Sequence, residues 1–170
     1  EVVDAALHLL ENPEATVDDL MQFVKGPDFP TGGHIMGRAG ILDAYRTGRG
    51  SVKMRAKAEI VEGPRGEQIV VTEIPYQTSV EAIEQKAAEL VNAREIEGIR
   101  AIRNGSAKGK IELVFELKRD APALVILNNL YKHTPMQSSF PVNMVALVDG
   151  VPRTLSLRDM LVHSLVRQRE

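Results

Sequence analysis

The chain has 170 residues, of which 44% are hydrophobic and none is cysteine, and its formal net charge at pH 7 is −2. This length suffices for one main hydrophobic core with an appended segment, while the lack of cysteine excludes disulfide bridges and thiolate metal sites and agrees with a cytoplasmic origin. A slightly acidic chain is not a uniformly basic nucleic-acid binder, and no run is apolar enough for a transmembrane helix, so nucleic-acid binding would require a local basic patch.

Residues 1–51 are predicted to form a connector of short helices and loops. The first 24 residues indicate two short helices, the second of which has a capping box formed by Thr16 and Asp19. Residues 26–33 (GPDFPTGG) form a structured loop, because the two prolines exclude a helix and the glycines allow tight turns. A helical turn follows at residues 41–45. The first apolar stripe begins without a cap, so we expect this chain to be a piece of a longer protein.

A strand is predicted over residues 52–61, because apolar and polar side chains alternate along it. Successive side chains of a strand point to opposite faces, so one face of this strand is apolar and the other is largely cationic. The apolar face carries Val52, Met54, Ala56, Ala58 and Ile60, and the other face carries Lys53, Arg55, Lys57 and Glu59.

Two strand–strand–helix units are predicted within residues 52–137. In the first unit, a strand at residues 68–74 follows the basic strand and leads to a helix capped by Thr78 with Glu81.

The second unit has strands at residues 99–103 and 111–118 and a helix capped by Asp120. A further strand at 142–148 and a helix that begins at Ser156 make up residues 138–170, which we expect to lead into a coiled-coil region that this chain lacks. These elements predict an α+β fold, a two-layer sandwich of an antiparallel sheet with helices on one face, plus flanking helices that connect to missing domains.

The strongest candidate site is a run of cations without any intervening acid, between residues 46 and 57. Its members are Arg46, Arg49, Lys53, Arg55 and Lys57. Such side chains bind phosphates without reading base sequence. The alternative is an ordinary solvated face of an antiparallel strand, and composition alone slightly favours it.

No other chemistry has a recognisable motif. The glycines between residues 32 and 40 are not followed by the lysine and hydroxyl residue of a phosphate-binding loop. The four histidines are far apart in sequence, and none forms a metal-ligand spacing. A small-molecule enzyme would need convergent titratable groups, which the sequence does not supply.

Six segments, in the same order, resemble the A subunits of bacterial type IIA DNA topoisomerases. They are residues 26–31 (GPDFPT), 44–50 (AYRTGRG), 73–77 (EIPYQ), 118–121 (KRDA), 128–134 (NNLYKHT) and 144–153 (MVALVDGVPR). The resemblance extends from about Val24 onward. The YKHT form at residues 131–134 favours the DNA gyrase type of A subunit over its topoisomerase IV paralogue.

The resemblance implies that residues 52–137 are the tower domain, which holds the arms of the DNA duplex that is to be cut. The five cations would then contact double-stranded DNA, and backbone contacts with DNA bending would suffice. The resemblance also implies an A2B2 parent enzyme of two A and two B subunits, which supercoils DNA by ATP-dependent double-strand passage. Mg²⁺ and ATP would be held by the B subunit, so no cofactor or metal is expected in this chain.

In this family, the catalytic tyrosine follows an arginine, and no Arg-Tyr pair occurs here. The isolated chain is therefore expected to be inactive, with no catalytic residue. The alternative to DNA binding is a structural linker or assembly domain that does not itself bind DNA appreciably.

Overall fold

The computed structural model describes all 170 residues and confirms the α+β fold, with antiparallel sheets and helices packed against them. The helices are α1 (Val2–Glu11), α2 (Val17–Leu20), α3 (Ala39–Thr47), α4 (Val80–Asn92), α5 (Ala123–His133) and α6 (Leu157–Arg169). The strands are β1 (His34–Met36), β2 (Arg49–Arg55), β3 (Lys57–Gly63), β4 (Gly66–Glu73), β5 (Ile99–Asn104), β6 (Leu113–Leu117), β7 (Gln137–Asn143), β8 (Val145–Val148) and β9 (Val151–Thr154). None of the helices combines the length and the apolar character that crossing a lipid bilayer requires.

The chain folds into two compact units, each assembled from separate stretches of sequence. Unit 1 comprises Glu1–Asp28, Gly37–Val52 and Ser139–Glu170. Unit 2 comprises Phe29–Met36 and Lys53–Ser138.

The main sheet of unit 2 has four antiparallel strands in the order β3-β4-β6-β5. Each edge strand forms a hairpin with the adjacent central strand, and a helix follows each hairpin: α4 after β3–β4 and α5 after β5–β6. The two predicted strand–strand–helix units are therefore present, and they meet where β4 pairs with β6.

One face of this sheet forms the core of unit 2. A cross-strand row joins Ile60, Ile69, Phe115 and Ile102 on the four strands. The same core includes buried residues of both helices, among them Ile83, Ala87, Ile126 and Leu130. Both helices thus pack on one face of the sheet, as the apolar stripes of their sequences predict.

On the opposite face, the Glu116 carboxylate of β6 accepts a hydrogen bond from Arg100 and forms an ion pair with Arg103, both at 3.1 Å.

The predicted strand at residues 52–61 is wrong in one respect, because the chain leaves β2 at Arg55 and enters a different sheet as β3 at Lys57. The break falls at Ala56, which is fully buried. Its N–H donates to the carbonyl of Met136 at 2.8 Å, and its carbonyl accepts from the Tyr131 hydroxyl at 3.2 Å. The alternation of apolar and polar residues continues in phase through the break, so the pattern could not reveal it.

Three other boundaries differ from the predictions. Ser79, rather than Thr78, caps α4 by accepting from Ala82 N–H at 3.1 Å. Asp120 does not cap α5: it lies in a turn with a φ of 63°, and the N-cap is Pro122, which has no side-chain acceptor. The strand predicted at residues 142–148 is two strands, β7 and β8, separated at Met144.

Unit 1 is built mainly from helices, with α6 packed against α1, α2 and α3. The predicted capping box of α2 is confirmed, since Thr16 and Asp19 exchange hydrogen bonds between side chain and backbone. Ser156 caps α6 as predicted, by accepting from Asp159 N–H at 3.1 Å. Arg158 of α6 donates to two backbone carbonyls between α1 and α2, those of Ala15 and Pro13, at 2.8 and 2.7 Å.

Gly40 lies where α3 meets β2 within unit 1. A Cβ at this position would lie 1.9 Å from the Ser51 carbonyl oxygen, a backbone atom that cannot rotate away. We therefore expect Gly40→Ala to destabilise unit 1, although alanine in a helix interior ordinarily gains about 1 kcal/mol over glycine. Urea denaturation followed by circular dichroism would show whether the substitution lowers or raises the free energy of unfolding. Ser164→Ala, on the exposed face of α6, is the control and should be neutral or slightly stabilising; a stabilised Gly40→Ala variant would contradict the close packing.

Candidate nucleic-acid interface

Unit 2 contains three of the predicted cations: Lys53, Arg55 and Lys57. Strand β2 fixes the first two, because its apolar residue Met54 is 1% exposed and forces the neighbouring side chains to the other face. Lys53 is exposed, whereas Arg55 is half-buried. Lys57 begins the edge strand β3 and is also half-buried.

The Arg55 guanidinium is held in position by two neighbours. Its Nε donates to Gln137 Oε1 at 2.6 Å, and its Cζ lies 4.9 Å from the centre of the Tyr131 ring. A cation over an aromatic face is attracted by the ring quadrupole. Neither neighbour is acidic, so the positive charge of Arg55 is not neutralised, and its terminal N–H groups remain available for a planar, two-point contact with phosphate.

Tyr131 forms the base of this arrangement. Its hydroxyl donates to the carbonyl of Ala56 at 3.2 Å, which orients the ring beneath Arg55. Burial raises the pKa of the Tyr131 hydroxyl above its usual value, and the nearby Arg55 charge opposes part of that rise. The ring therefore stays neutral at physiological pH and keeps its role as a hydrogen-bond donor.

Lys53 and Lys57 have no carboxylate within ion-pair distance. Lys57 is opposite Glu73 in the strand register, but the Glu73 carboxylate accepts the N–H of Gly33 at 2.7 Å. Unit 2 thus presents two lysines without ion-pair partners and one oriented arginine.

The Gly-rich segment at residues 26–33 does not form a phosphate cradle. The Glu73 carboxylate occupies the position next to Gly32 and Gly33 where an anion would sit, and its negative charge would repel phosphate. No three His, Asp or Glu side chains come together in a metal-binding arrangement anywhere in the chain.

In unit 1, Arg46 is already bound. Its Nε and Nη2 donate to both carboxylate oxygens of Asp18, at 2.8 to 3.0 Å. These hydrogen bonds hold the pKa of Asp18 below its usual value. An acid whose pKa is lowered in the folded state contributes stability above its unfolded pKa of about 3.9, and that contribution is lost only as the pH falls through the lower folded value. The pair is therefore intact at neutral pH.

Releasing Arg46 tests whether it can contact DNA. If Arg46 faces a phosphate, Asp18→Asn should steepen the salt dependence of duplex binding by up to about 0.9 in the log–log slope, since one more phosphate would be neutralised. Fluorescence anisotropy at several salt concentrations would measure this slope. Glu11→Gln removes the same charge from an exposed site on α1 and is the matched control. An equal slope in both variants would exclude Arg46 from the interface.

Arg49, also in unit 1, is exposed and has no acidic partner. It follows Gly48, which ends α3 in the left-handed conformation with a φ of 83°. The flanking glycines do not serve a ligand: a Cβ at Gly48 would lie 2.5 Å from the Leu155 carbonyl oxygen, and one at Gly50 would lie 2.6 Å from that of Gly40. Their small size allows the backbone of unit 1 to pack.

The sequence did not reveal two partners that define the Arg55 geometry. Gln137 is 82 residues from Arg55 in the sequence, and no sequence pattern links Tyr131 to Arg55. The resemblance of the segment around Tyr131 was the one signal that marked this region as important.

The whole chain, residues 1–170, matches the family of DNA gyrase and topoisomerase IV A subunits. It is 51% identical to the DNA gyrase A subunit of Pseudomonas aeruginosa over 173 aligned residues, which cover 100% of the chain. It is 50% identical to that of Synechocystis over 95% of the chain, and 48% identical to that of Staphylococcus epidermidis over 99%.

The chain spans only 19% of the length of each of these curated relatives. The match nevertheless extends over the full chain, so the resemblance is confirmed, and the protein belongs to the family of DNA gyrase and topoisomerase IV A subunits.

Proposed function

We propose that this chain, as the tower region of a DNA gyrase A subunit, binds and positions the arms of a double-stranded DNA segment. The observation that carries the proposal is the oriented, unneutralised guanidinium of Arg55 beside two lysines without ion-pair partners in unit 2. Arg49 adds an exposed cation in unit 1. Arg46 remains a candidate DNA contact, but it must first break its hydrogen bonds to Asp18.

These cations suit contacts to the phosphate backbone. Lysine ammonium groups and arginine forks bind phosphate oxygens in any base sequence, as an enzyme that cuts many different sequences requires. Arg49, Lys53, Arg55 and Lys57 all lie on strands β2 and β3 rather than on a helix that could enter the major groove, so direct base readout by these four residues has no support in this fold.

The parent enzyme supplies the chemistry in this proposal. Two A and two B subunits form an A2B2 assembly in the cytoplasm and supercoil DNA by ATP-dependent double-strand passage. Mg²⁺ and ATP are held by the B subunit, and this chain contributes no ligand to either. Residues 52–137 correspond to the tower domain, residues 1–51 to a connector, and residues 138–170 to the start of the arm towards a coiled coil.

The test is a fluorescence-anisotropy titration with a mixed-sequence duplex of about 30 base pairs at several salt concentrations, because the slope counts the phosphates engaged. We expect a steep slope that does not depend on base sequence. Replacing Arg49, Lys53 and Arg55 together by glutamate should abolish binding. Lys86→Glu on α4 alters a single exposed lysine that lies on the helical layer and is the control. Binding that survives the triple charge reversal would refute the proposal.

The second candidate is a structural linker that touches DNA weakly or not at all. It is favoured by the internal partners of Arg46 and Arg55, which show that these arginines also have structural roles. A wild-type chain that fails to bind the duplex even at low salt, while folding normally, would favour this second function.

The isolated chain should not cleave DNA. Burial raises the pKa of the Tyr45 hydroxyl, with the carboxylates of Glu1 and Asp28 adding to the rise, and it raises that of Tyr131. Tyr76 packs against Phe29, with ring centres 5.5 Å apart. None of the three is therefore poised as a nucleophile. Incubation with supercoiled plasmid and Mg²⁺, followed by denaturation, should yield no covalent protein–DNA adduct; an adduct that Tyr45→Phe or Tyr131→Phe abolishes would contradict this.

A further inference from the structure

We infer that the tip of the β5–β6 hairpin is a second phosphate-contacting element of unit 2, and that Lys108 and Lys110 bind the backbone of the same duplex as the basic residues near β2. This inference rests on the proposed function, because it concerns the same ligand.

The hairpin tip is an ordered, tightly closed loop. Ala107 and Lys110 exchange two backbone hydrogen bonds, of 3.1 and 3.0 Å, and enclose Lys108 and Gly109 as a two-residue turn. Both central residues have positive φ angles, 50° and 80°, as a tight hairpin turn of this kind requires. The two lysines are thus held on a defined backbone at the end of the hairpin.

The loop below this turn is also fixed. Gly105 N–H donates to the Glu112 carbonyl at 2.9 Å, and the Glu112 N–H donates to the Ser106 hydroxyl at 3.0 Å. The Asn104 side chain accepts the Ser106 N–H at 3.0 Å. The Asn104 side chain also donates to the Glu84 carboxylate of α4 at 3.3 Å. Because these contacts hold the loop without Lys108 or Lys110, the lysine side chains are not needed to stabilise it.

The charge of the hairpin is strongly asymmetric. Between Glu97 and Glu112 the chain has four cations and no acid: Arg100, Arg103, Lys108 and Lys110. The two arginines bind Glu116, which accounts for them structurally. The two lysines are exposed and have no carboxylate within ion-pair distance, so they remain without an internal role.

The strand register places this tip at the same end of the four-stranded sheet as Lys57. Leu113, the first residue of β6, pairs with Val71 near the end of β4, and Lys57 pairs with Glu73 at that same end. The hairpin tip, which joins edge strand β5 to central strand β6, and Lys57, on the opposite edge strand β3, therefore lie at one end of the four-stranded sheet.

An extended polyanion fits this surface better than a small anion does. Nothing lies within 4 Å of a Cβ built at Gly109, so the tip is open and encloses no ligand. A single phosphate would gain little from two solvated lysines, whereas an extended duplex would gain from contacting the hairpin tip and Lys57 together.

Lysine footprinting on the wild-type chain tests the inference directly. The chain is acetylated briefly with and without a mixed-sequence duplex of about 30 base pairs at low salt, and modification at each lysine is measured by mass spectrometry. We expect protection of Lys108 and Lys110 together with Lys53 and Lys57. Lys86, exposed on α4, should remain unprotected.

The possible outcomes separate the two proposals. Protection of Lys53 and Lys57 alone would overturn the hairpin contact and leave the proposed function standing. Protection of Lys108 and Lys110 alone would support the hairpin contact and overturn the role of the basic residues near β2. No protection at any of the four lysines would overturn both.

A double substitution measures how much Lys108 and Lys110 contribute to duplex binding. Replacing Lys108 and Lys110 together by glutamine should lower the salt slope of duplex binding by about 1.8, since two phosphate contacts are lost. The exposed turn tolerates these substitutions because neither side chain is packed. Lys86→Gln is the control, and a slope equal to that of the wild type in the double variant would contradict the inference.

Discussion

Replacing Phe115 by alanine is expected to destabilise unit 2 by about 3 to 5 kcal/mol, the usual cost of truncating a buried phenylalanine. Phe115 is fully buried at the centre of β6, where it pairs with Ile69 of β4 and Ile102 of β5. Its removal leaves a cavity between the sheet and the two helices, and neighbours on rigid strands cannot collapse into it. Urea denaturation followed by circular dichroism would measure the loss.

Leu124→Ala is the control for this prediction. Leu124 lies in α5 but is 69% exposed, so its truncation should change the free energy of unfolding by less than about 0.5 kcal/mol. A Phe115→Ala variant as stable as the control would mean that the inner row of the sheet does not form the core. The loss of stability should lower DNA affinity only where unit 2 is no longer folded.

The repeated part of this fold could be predicted from the sequence because its signals are local. The apolar stripes of α4 and α5 recur at helical spacing, and turn residues separate the strands before them. The break at Ala56 could not be predicted, since it depends on hydrogen bonds to Met136 and Tyr131, far along the chain. The prediction that Asp120 caps α5 is wrong, because a left-handed turn at Asp120 intervenes before the helix begins.

In the candidate site, too, local features could be predicted from the sequence and long-range contacts could not. The positions of the cations follow from the residues themselves, but their availability depends on distant partners. Asp18 binds Arg46 from 28 residues away, and Gln137 binds Arg55 from 82 residues away. Charge counting treats five cations alike, whereas the structure separates one that is bound, one that is oriented and three that have no ion-pair partner.

The oriented arginine gives the sharpest functional prediction. Arg55→Lys keeps the positive charge but loses the Nε bond to Gln137, the stacking on Tyr131 and the fork of donors. We expect duplex affinity to fall by about tenfold or more, because a hydrogen bond to a charged group contributes about 1.5 to 3 kcal/mol. The salt slope should stay the same, since the number of charges is unchanged.

Lys53→Arg is the reciprocal control on the same strand, where the neighbouring exposed lysine has no fixed partner. Its affinity should stay within a few-fold of the wild type, because a flexible point charge is exchanged for another cation that nothing orients. Tyr131→Leu distinguishes the contribution of the aromatic ring from that of the guanidinium, because it removes the stacking but leaves the Arg55 donors in place. If Arg55→Lys binds DNA as tightly as the wild type, the guanidinium serves only to hold Tyr131 and Gln137 together, and the duplex contacts of unit 2 depend on lysines alone.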